Sequence, residues 1–185
     1  MAGNRWQVNV ALLVRATWMI VVVLIVGLWF VRAVLPSQVD DVSPLMNCSD
    51  EVLDLGDVYF VVPKFGGVEI DGEWCEKMKK RVSSSSSELG VSSWEKRLAM
   101  HGVYHSYHEF GEFRDEAYFG EGVEIFEECF GFVPDRFKPG QLVLGEENDW
   151  IRDEVEVDLI LNQVFHKVYH CGDSGVFPNW FVRIF

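Results

Sequence analysis

The sequence predicts an α/β protein with mainly parallel strands, preceded by one apolar N-terminal helix. Short runs of β-branched and aromatic residues alternate with helical patterns over about 150 of the 185 residues, which is typical of a parallel sheet covered by helices. A long uncharged stretch stands near the N-terminus, and aspartates or histidines follow several of the predicted strands. Because functional residues of such folds gather at the carboxyl ends of the strands, these positions are the first candidates for a site.

The composition fits one ordinary globular domain with a short appendage. Hydrophobic residues make up 49% of the chain and aromatic residues 14%, which suffices for a packed core and excludes disorder over most of the length. The formal net charge is −13, although the first 36 residues contain three arginines and no acid. The rest of the chain is therefore strongly acidic and repels phosphate backbones, so we expect no nucleic acid partner.

The apolar stretch Ala16–Val31 predicts a transmembrane signal-anchor. Its uncharged residues fall slightly short of a hydrocarbon core of about 30 Å, and Arg15 and Arg32 would lengthen the span by snorkelling. A cleaved signal peptide and a buried core helix are the alternatives, but no small-x-small cleavage site follows the stretch. We expect residues 1–32 to form a basic leader and anchor, and residues 33–185 to form the catalytic domain.

Two further features bear on the compartment. Basic residues precede the apolar stretch and acidic residues follow it, so the positive-inside rule places the domain on the lumenal or extracellular side. The four cysteines contain no CxxC pair, which excludes a zinc knuckle. In a lumenal or extracellular domain they could form up to two disulfides, whereas in a cytosolic domain they would be buried thiols.

The first half of the domain predicts three strands separated by helical and loop segments. The strands are residues 34–44, 57–63 and 94–100. The first ends in Asp40-Asp41, and the second is apolar throughout, as in a strand buried on both faces. Gly72–Val82 has a weak helical pattern, and the serine tract Ser83–Ser87 predicts a loop.

The second half predicts one clear amphipathic helix and several shorter elements. The helix begins near Asp115, ends at Gly131, and has an apolar face of Phe119, Val123, Phe126 and Phe130. Strands are predicted over residues 136–144, where Pro-Gly interrupts the run, and 157–161, with a polar helix over residues 146–155 between them. The closing segment 164–175 alternates, so that His166 and His170 would share one face of an extended chain.

Three of the five histidines lie within eight residues, directly after an apolar run. His101 and His105 are four residues apart, so both imidazoles can reach one ion. A hydrolytic zinc site takes three ligands from histidine and carboxylate and leaves one position for water. In Asp40-Asp41, one carboxylate can bind the metal while the other accepts a proton from the water. His108 is left over, and we expect it at the surface or behind the ligands.

Three motifs resemble, in order and spacing, those of the polysaccharide deacetylase superfamily. They are Val39-Asp40-Asp41-Val42, Ala99-Met-His101-Gly-Val-Tyr-His105 and Phe126-x-x-Cys-Phe130-Gly-x-x-Pro-x-x-Phe137-Lys-Pro139. The nearest likeness is to an uncharacterised deacetylase-like branch with an Asp-Asp-Val first motif, and it extends from about residue 37 to the C-terminus.

The resemblance implies a deformed (β/α) barrel and a divalent metal, most often zinc, held by one aspartate and two histidines. Asp40 resembles the catalytic base, Asp41 the metal-binding aspartate, and His101 and His105 the metal-binding histidines. The family usually has arginine where this chain has Lys138, and lysine keeps the charge but not the planar fork.

The family also has a late histidine that acts as the acid. His166 and His170 both stand in the apolar setting that this residue requires. His170 is preferred because it lies beside Gly172 and Asp173, whose carboxylate could hold the imidazole tautomer.

These features predict a membrane-anchored, metal-dependent hydrolase that removes an N-acetyl or other acyl group from an amino sugar. Metal-activated water, deprotonated by Asp40, would attack the amide, and His170 would protonate the departing amine. The expected partners are the membrane and a carbohydrate or glycolipid substrate. Eight residues separate Arg32 from Asp41, at most about 28 Å of chain, so the substrate would be membrane-proximal or lipid-linked. The alternatives are a catalytically silent relative that binds a glycan or a metal, and a membrane-anchored interaction domain with incidental histidines.

Overall fold

The computed structural model describes residues 3–84 and 94–185, which form a sheet of parallel strands, its surrounding helices and a long N-terminal helix. The strands are β1 (Gln38–Val42), β2 (Val58–Val61), β3 (Leu98–His101), β4 (Arg136–Lys138), β5 (Glu156–Val157) and β6 (Val168–His170). Their order in the sheet is β5-β4-β3-β2-β1-β6, and every neighbouring pair is parallel. The sheet thus extends from β1 to β5 on one side, while β6 returns to the other side of β1. This confirms the prediction of an α/β fold with mainly parallel strands.

Seven α-helices occur in the described part of the chain. They are α1 (Gly3–Val34), α2 (Asp50–Leu53), α3 (Gly72–Ser84), α4 (Glu116–Phe130), α5 (Ile151–Glu154), α6 (Ile160–Phe165) and α7 (Asn179–Ile184). The bounds of α4 are close to the prediction because both ends carry strong local signals. The Asp115 carboxylate accepts a hydrogen bond from the Tyr118 N–H, and Gly131 ends the helix with a φ of 83°.

The core lies between the sheet and the pair α3 and α4. Every residue of β2 and β3 is buried, as expected for central strands of a parallel sheet. Phenylalanines from α4 and β4 fill much of the space with edge-to-face contacts, such as Phe119 against Phe137 at 5.2 Å between centroids. The central strands are thereby held on a rigid support, and their carboxyl ends carry the candidate site.

All four cysteines are paired. The disulfide Cys75–Cys129 joins α3 to α4, and Cys48–Cys171 joins the loop after β1 to the turn after β6. The second disulfide closes a loop of 123 residues and connects two segments that follow site-bearing strands. Of the two alternatives left open by the sequence, the structure has the disulfide-bonded one.

The apolar helix α1 is longer than the predicted stretch. Leu12–Val34 is long and apolar enough to cross a membrane, with a mean hydropathy of 2.3, and none of its apolar window is buried against the domain. This exposure excludes the buried core helix. Arg15 and Arg32 lie within the continuous helix, since a single charged residue does not interrupt helical hydrogen bonding.

Several short elements differ from the prediction. The strand predicted over 94–100 starts only at residue 98, after a turn of 3₁₀ helix, and the strand predicted over 136–144 ends before Pro139. The polar helix predicted over 146–155 is split into a 3₁₀ turn and α5. Of the strand predicted over 157–161, only residue 157 belongs to β5, and residues 160–161 already belong to α6. Val164, predicted to be extended, also lies in α6. Apolar runs of four or five residues fit a strand or a helix equally well, so packing decides between them. The predicted loop Ser83–Ser87 begins inside α3, and its last three residues lie outside the described part of the chain.

Candidate metal centre

A β-bulge near the end of β1 turns two adjacent carboxylates toward one cavity. Val39 pairs with Tyr59 and Val42 pairs with Val61, so β1 has one residue more than β2 between these pairs. Asp41 occupies the left-handed region with a φ of 62°. Adjacent side chains of a regular strand point to opposite faces, but here Asp40 and Asp41 both line the cavity.

Asp40 is held by a buried lysine. Lys138 Nζ donates hydrogen bonds to Asp40 Oδ1 at 2.8 Å and to Gln38 Oε1 at 2.7 Å, and it lies 3.8 Å from the centroid of the Phe60 ring. Both members of the ion pair are at most 1% exposed. The other carboxylate oxygen, Asp40 Oδ2, has no hydrogen-bond partner among the described residues. Lys138 therefore orients the aspartate through one oxygen and leaves the second free to accept a proton.

Asp41, His101 and His105 bring three potential metal donors together. Asp41 Oδ1 lies 3.2 Å from His101 Nε2 and 2.7 Å from His105 Nε2, and the two Nε2 atoms are 3.2 Å apart. A backbone carbonyl can only accept a hydrogen bond, so His101 Nδ1 donates its proton to Lys138 O at 2.9 Å. The lone pair of neutral His101 is therefore on Nε2, facing the other donors, which is the tautomer that a metal ligand requires. The chemistry of these donors fits a divalent ion such as zinc.

The loop after β3 holds His105 in position through one buried carboxylate. Glu109 is fully buried and accepts hydrogen bonds from the N–H groups of Val103, Tyr104 and His105, at 2.7 to 3.2 Å. Gly102 has a φ of 60°, and a Cβ atom there would lie 2.3 Å from Glu109 Oε2. His105 itself has a φ of 57°. We name residues 102–109 the ligand loop after the predicted metal ligand His105, and this loop is a strained turn that folds around the Glu109 side chain.

His170 approaches Asp41 from the other side, at the end of β6. The register pairs Asp40 with His170 across β1 and β6, and His170 Nδ1 donates to Asp41 Oδ2 at 3.1 Å. Ser174 Oγ donates to the same oxygen at 2.6 Å. Asp41 therefore directs one oxygen to the two predicted metal ligands and the other to His170 and Ser174.

The electrostatics of the centre follow from these contacts. Burial raises the pKa of Asp41, but hydrogen bonds from the three imidazoles outweigh burial and hold that pKa far below its ordinary range. Burial lowers the pKa values of His105 and His170, but Asp41 and other nearby carboxylates together outweigh burial and raise both values. The carboxylate is thus ionised and attracts either protons or a cation to the surrounding nitrogens.

These groups line a cavity of about 360 Å³. All five residues predicted for catalysis or metal binding border it: Asp40, Asp41, His101, His105 and His170. The remaining wall comes from the turn after β4, from α6 and from the turn after β6, and it includes Gln141, Gln163 and Val176. A cavity of this size lies within the range that is typical of small-molecule sites.

The other two histidines lie outside the centre. His108 is exposed and stacks on Tyr107 with 4.1 Å between centroids, in agreement with the expected surface position. His166 Nδ1 donates to the Pro36 carbonyl at 2.8 Å, where it joins the end of α6 to the segment before β1.

One expected contact is wrong: the Asp173 carboxylate accepts from the Asn179 N–H at 2.7 Å, and Asp41 rather than Asp173 contacts the His170 ring. Asp173 has a φ of 55°, and its carboxylate is bonded at the start of α7.

Three residues of the centre were missed from the sequence. Gln38 shares the Lys138 ammonium, Ser174 contacts Asp41, and Glu109 organises the ligand loop. Glu109 follows His105 by four residues, so an acid at the end of the histidine cluster was an available signal. Nothing in the local sequence marks Gln38 or Ser174, because their partners lie 100 and 133 residues away.

Comparisons of this chain with protein-family models and with curated proteins find no match.

Proposed function

We propose that this chain is a membrane-anchored, metal-dependent deacetylase, related to the polysaccharide deacetylases, that removes an N-acetyl group from an amino sugar. The observation that carries the proposal is the pair of adjacent aspartates with different partners in one cavity. Asp40 is bound to a lysine and has a free oxygen, whereas Asp41 lies among imidazole nitrogens. One base and one set of ligands side by side are what hydrolysis of an amide at a metal centre requires.

Asp41, His101 and His105 would hold the metal, and zinc suits this set of one carboxylate and two imidazoles. When bound there, a divalent ion supplies a water of lowered pKa and polarises the amide carbonyl. The hydrogen bond from His101 Nδ1 to Lys138 O fixes the ring orientation before any ion arrives.

The chain's own groups move the protons. Asp40 Oδ2 accepts the proton of the attacking water, while Lys138 keeps the carboxylate in place through Oδ1. His170 stands on the β6 side of the cavity and gives a proton to the departing amine. Because its Nδ1 proton is held by Asp41, the proton that is transferred belongs to Nε2.

The fold and the disulfides support the finer parts of the proposal. A deformed (β/α) barrel needs its last strand beside the first, and β6 lies beside β1. Two disulfides are typical of an oxidising compartment, which agrees with a domain on the lumenal or extracellular side of the membrane.

Metal content and acetate release test the proposal on the full-length protein purified in detergent. N-acetylglucosamine oligomers serve as the substrate, and elemental analysis gives the metal. We expect Asp40→Asn to retain the metal and to lose about 10²- to 10⁴-fold in kcat, since the proton acceptor is gone. His101→Ala should lose the metal itself. The matched control is His108→Ala, which removes an exposed imidazole from the same loop and should change neither readout.

A metal-replete and fully active Asp40→Asn protein would overturn the assignment. Metal binding without acetate release from any amino sugar would identify a catalytically silent relative. If the protein is metal-free and chelators do not change its thermal stability, a membrane-anchored interaction domain with incidental histidines is favoured.

A further inference from the structure

The segments next to the end of α1 expose an unusual number of large apolar side chains. They belong to α6, α7 and the turn between β6 and α7, and they include Ile160, Leu161, Val176, Phe177, Trp180 and Ile184. Val176 is 90% exposed and Trp180 64%. We name these six residues the C-terminal apolar patch. Several exposed apolar side chains on neighbouring segments mark a place where a protein contacts something apolar.

The end of α1 contacts the segments that carry this patch. Trp29 Nε1 donates to Ile184 O at 3.3 Å, and Arg32 Nη1 donates to the carbonyls of Gln163 and Val164 at 2.9 Å each. Arg32 also lies 5.5 Å from the centroid of the Phe185 ring. The last turns of the helix that can span a bilayer therefore contact α6 and α7 directly. When α1 crosses the membrane, the patch lies where α1 leaves it, at the depth that tryptophan and snorkelling arginine prefer.

An apolar cavity of about 270 Å³ opens inside this region. Arg32 lies at its wall, and its apolar walls include Ile160, Val164, Val168, Phe177, Phe181 and Val182. Gln163, His170 and Val176 line both this cavity and the one that contains the metal centre. The two cavities are therefore neighbours, separated by little more than the His170 ring and its surroundings.

We propose that the apolar cavity binds one hydrocarbon chain of a membrane lipid, so that the substrate is an amino-sugar glycolipid drawn from the adjoining leaflet. The identity of the substrate rests on the deacetylase proposed above, whereas binding of the chain does not. A water-soluble glycan has no group that would cover these apolar walls. A lipid chain covers them, and its sugar headgroup then lies on the side of His170 that faces the metal centre.

Photolabelling tests the proposal directly. The probe is a single-chain N-acetylglucosaminyl lipid with a diazirine at the end of its alkyl chain, added to the full-length protein in phosphatidylcholine nanodiscs. Illumination followed by peptide mass spectrometry should place adducts on Val168 and Val182, which line the cavity and are each only 5% exposed. Adducts confined to the exposed face of α1 would overturn the proposal. The proposal would also be overturned if the cavity stayed unlabelled and the protein formed a dimer through the C-terminal apolar patch.

A matched pair of variants distinguishes binding in the cavity from nonspecific binding to exposed apolar side chains. Phe177 and Phe113 are 59% and 58% exposed, but only Phe177 lines the cavity. Phe177→Asp should lower the labelling of Val168 by about tenfold or more, because a carboxylate disfavours a hydrocarbon neighbour. Phe113→Asp should leave it unchanged. Equal loss in both variants, or in neither, would contradict a chain-binding cavity.

Acetate release from the same lipid, measured in parallel, distinguishes the two proposals. Labelled cavity residues without acetate release leave the lipid site standing and refute the deacetylase. Acetate release with no cavity adducts supports the deacetylase and refutes the lipid site.

Discussion

The two aspartates of the centre are neighbours in the chain but occupy opposite electrostatic surroundings. Asp40 faces the amine of Lys138, and both side chains of this pair are buried. Asp41 faces three imidazoles, each of which is cationic only when protonated. We call Asp40 with Lys138 the Asp40 group, and Asp41 with its three imidazoles the Asp41 group. Asp40 has its ion-pair partner within the protein, whereas the negative charge of Asp41 is balanced only when a proton or a metal ion binds. Identical side chains thus acquire different surroundings from their partners alone, and these surroundings suit the base and the metal ligand that we propose.

Removing the lysine would break this contrast and should have the largest effect. Lys138→Met leaves the Asp40 carboxylate buried without a cation, so we expect the free energy of unfolding to fall by about 3–5 kcal/mol. Chemical denaturation followed by circular dichroism measures the change. The double variant Lys138→Met with Asp40→Asn contains no buried charge at this position and should recover most of the loss. A single variant as stable as the wild type would mean that Asp40 does not depend on the ion pair.

Changing Glu109 would test the Asp41 group without touching the Asp40 group. The Glu109 carboxylate accepts three backbone N–H groups of the ligand loop, and an amide in its place would turn a donor toward them. We expect Glu109→Gln to cost about 2–3 kcal/mol of stability. Zinc affinity should fall by about 10- to 100-fold because His105 loses its support.

Calorimetric zinc titration and denaturation of the same samples measure both effects. The control is Glu112→Gln, an exposed acid three residues away. Unchanged zinc affinity in a destabilised Glu109→Gln protein would show that the loop positions no ligand.

Asp158, which follows β5, offers a comparison, because in the described ranges it has no ion pair at hydrogen-bond distance. Lys138 and His166 act on it only at longer range. Its Oδ2 is buried and has no hydrogen-bond partner in the described ranges, and burial raises its pKa. Folding therefore favours the protonated form. This favourable effect is complete below the unfolded pKa of about 3.9 and is lost as the pH rises through the higher folded pKa.

Replacing Asp158 with Asn should therefore stabilise the protein at neutral pH, by about 1 kcal/mol. The advantage should shrink as the pH falls through the raised pKa of the folded protein, because the wild-type carboxyl then becomes protonated as well. Thermal denaturation of both proteins across this pH range gives the difference. An advantage that is the same at every pH would contradict a raised pKa as its source.

The sequence by itself determined the elements that local patterns can encode. The helix α4 has a capping aspartate, an apolar face and a terminal glycine within one short segment, and β2 is a continuous apolar run. The same local patterns predicted that Asp41, His101 and His105 lie at strand ends. The sequence also predicted that these residues lie close together, because the carboxyl ends of parallel strands meet at one edge of the sheet.

Only the tertiary structure decided how the centre is completed. Lys138 and Asp40 are 98 residues apart and His170 and Asp41 are 129 apart, so no local pattern marks either pair. The bulge in β1 arises from pairing with β2, and it alone allows neighbouring aspartates to face one cavity. The elements after Pro139 are too short for periodicity to identify, since packing against distant strands outweighs the preferences of four or five residues. Local sequence thus placed the donors, and long-range packing assigned each of them its partner.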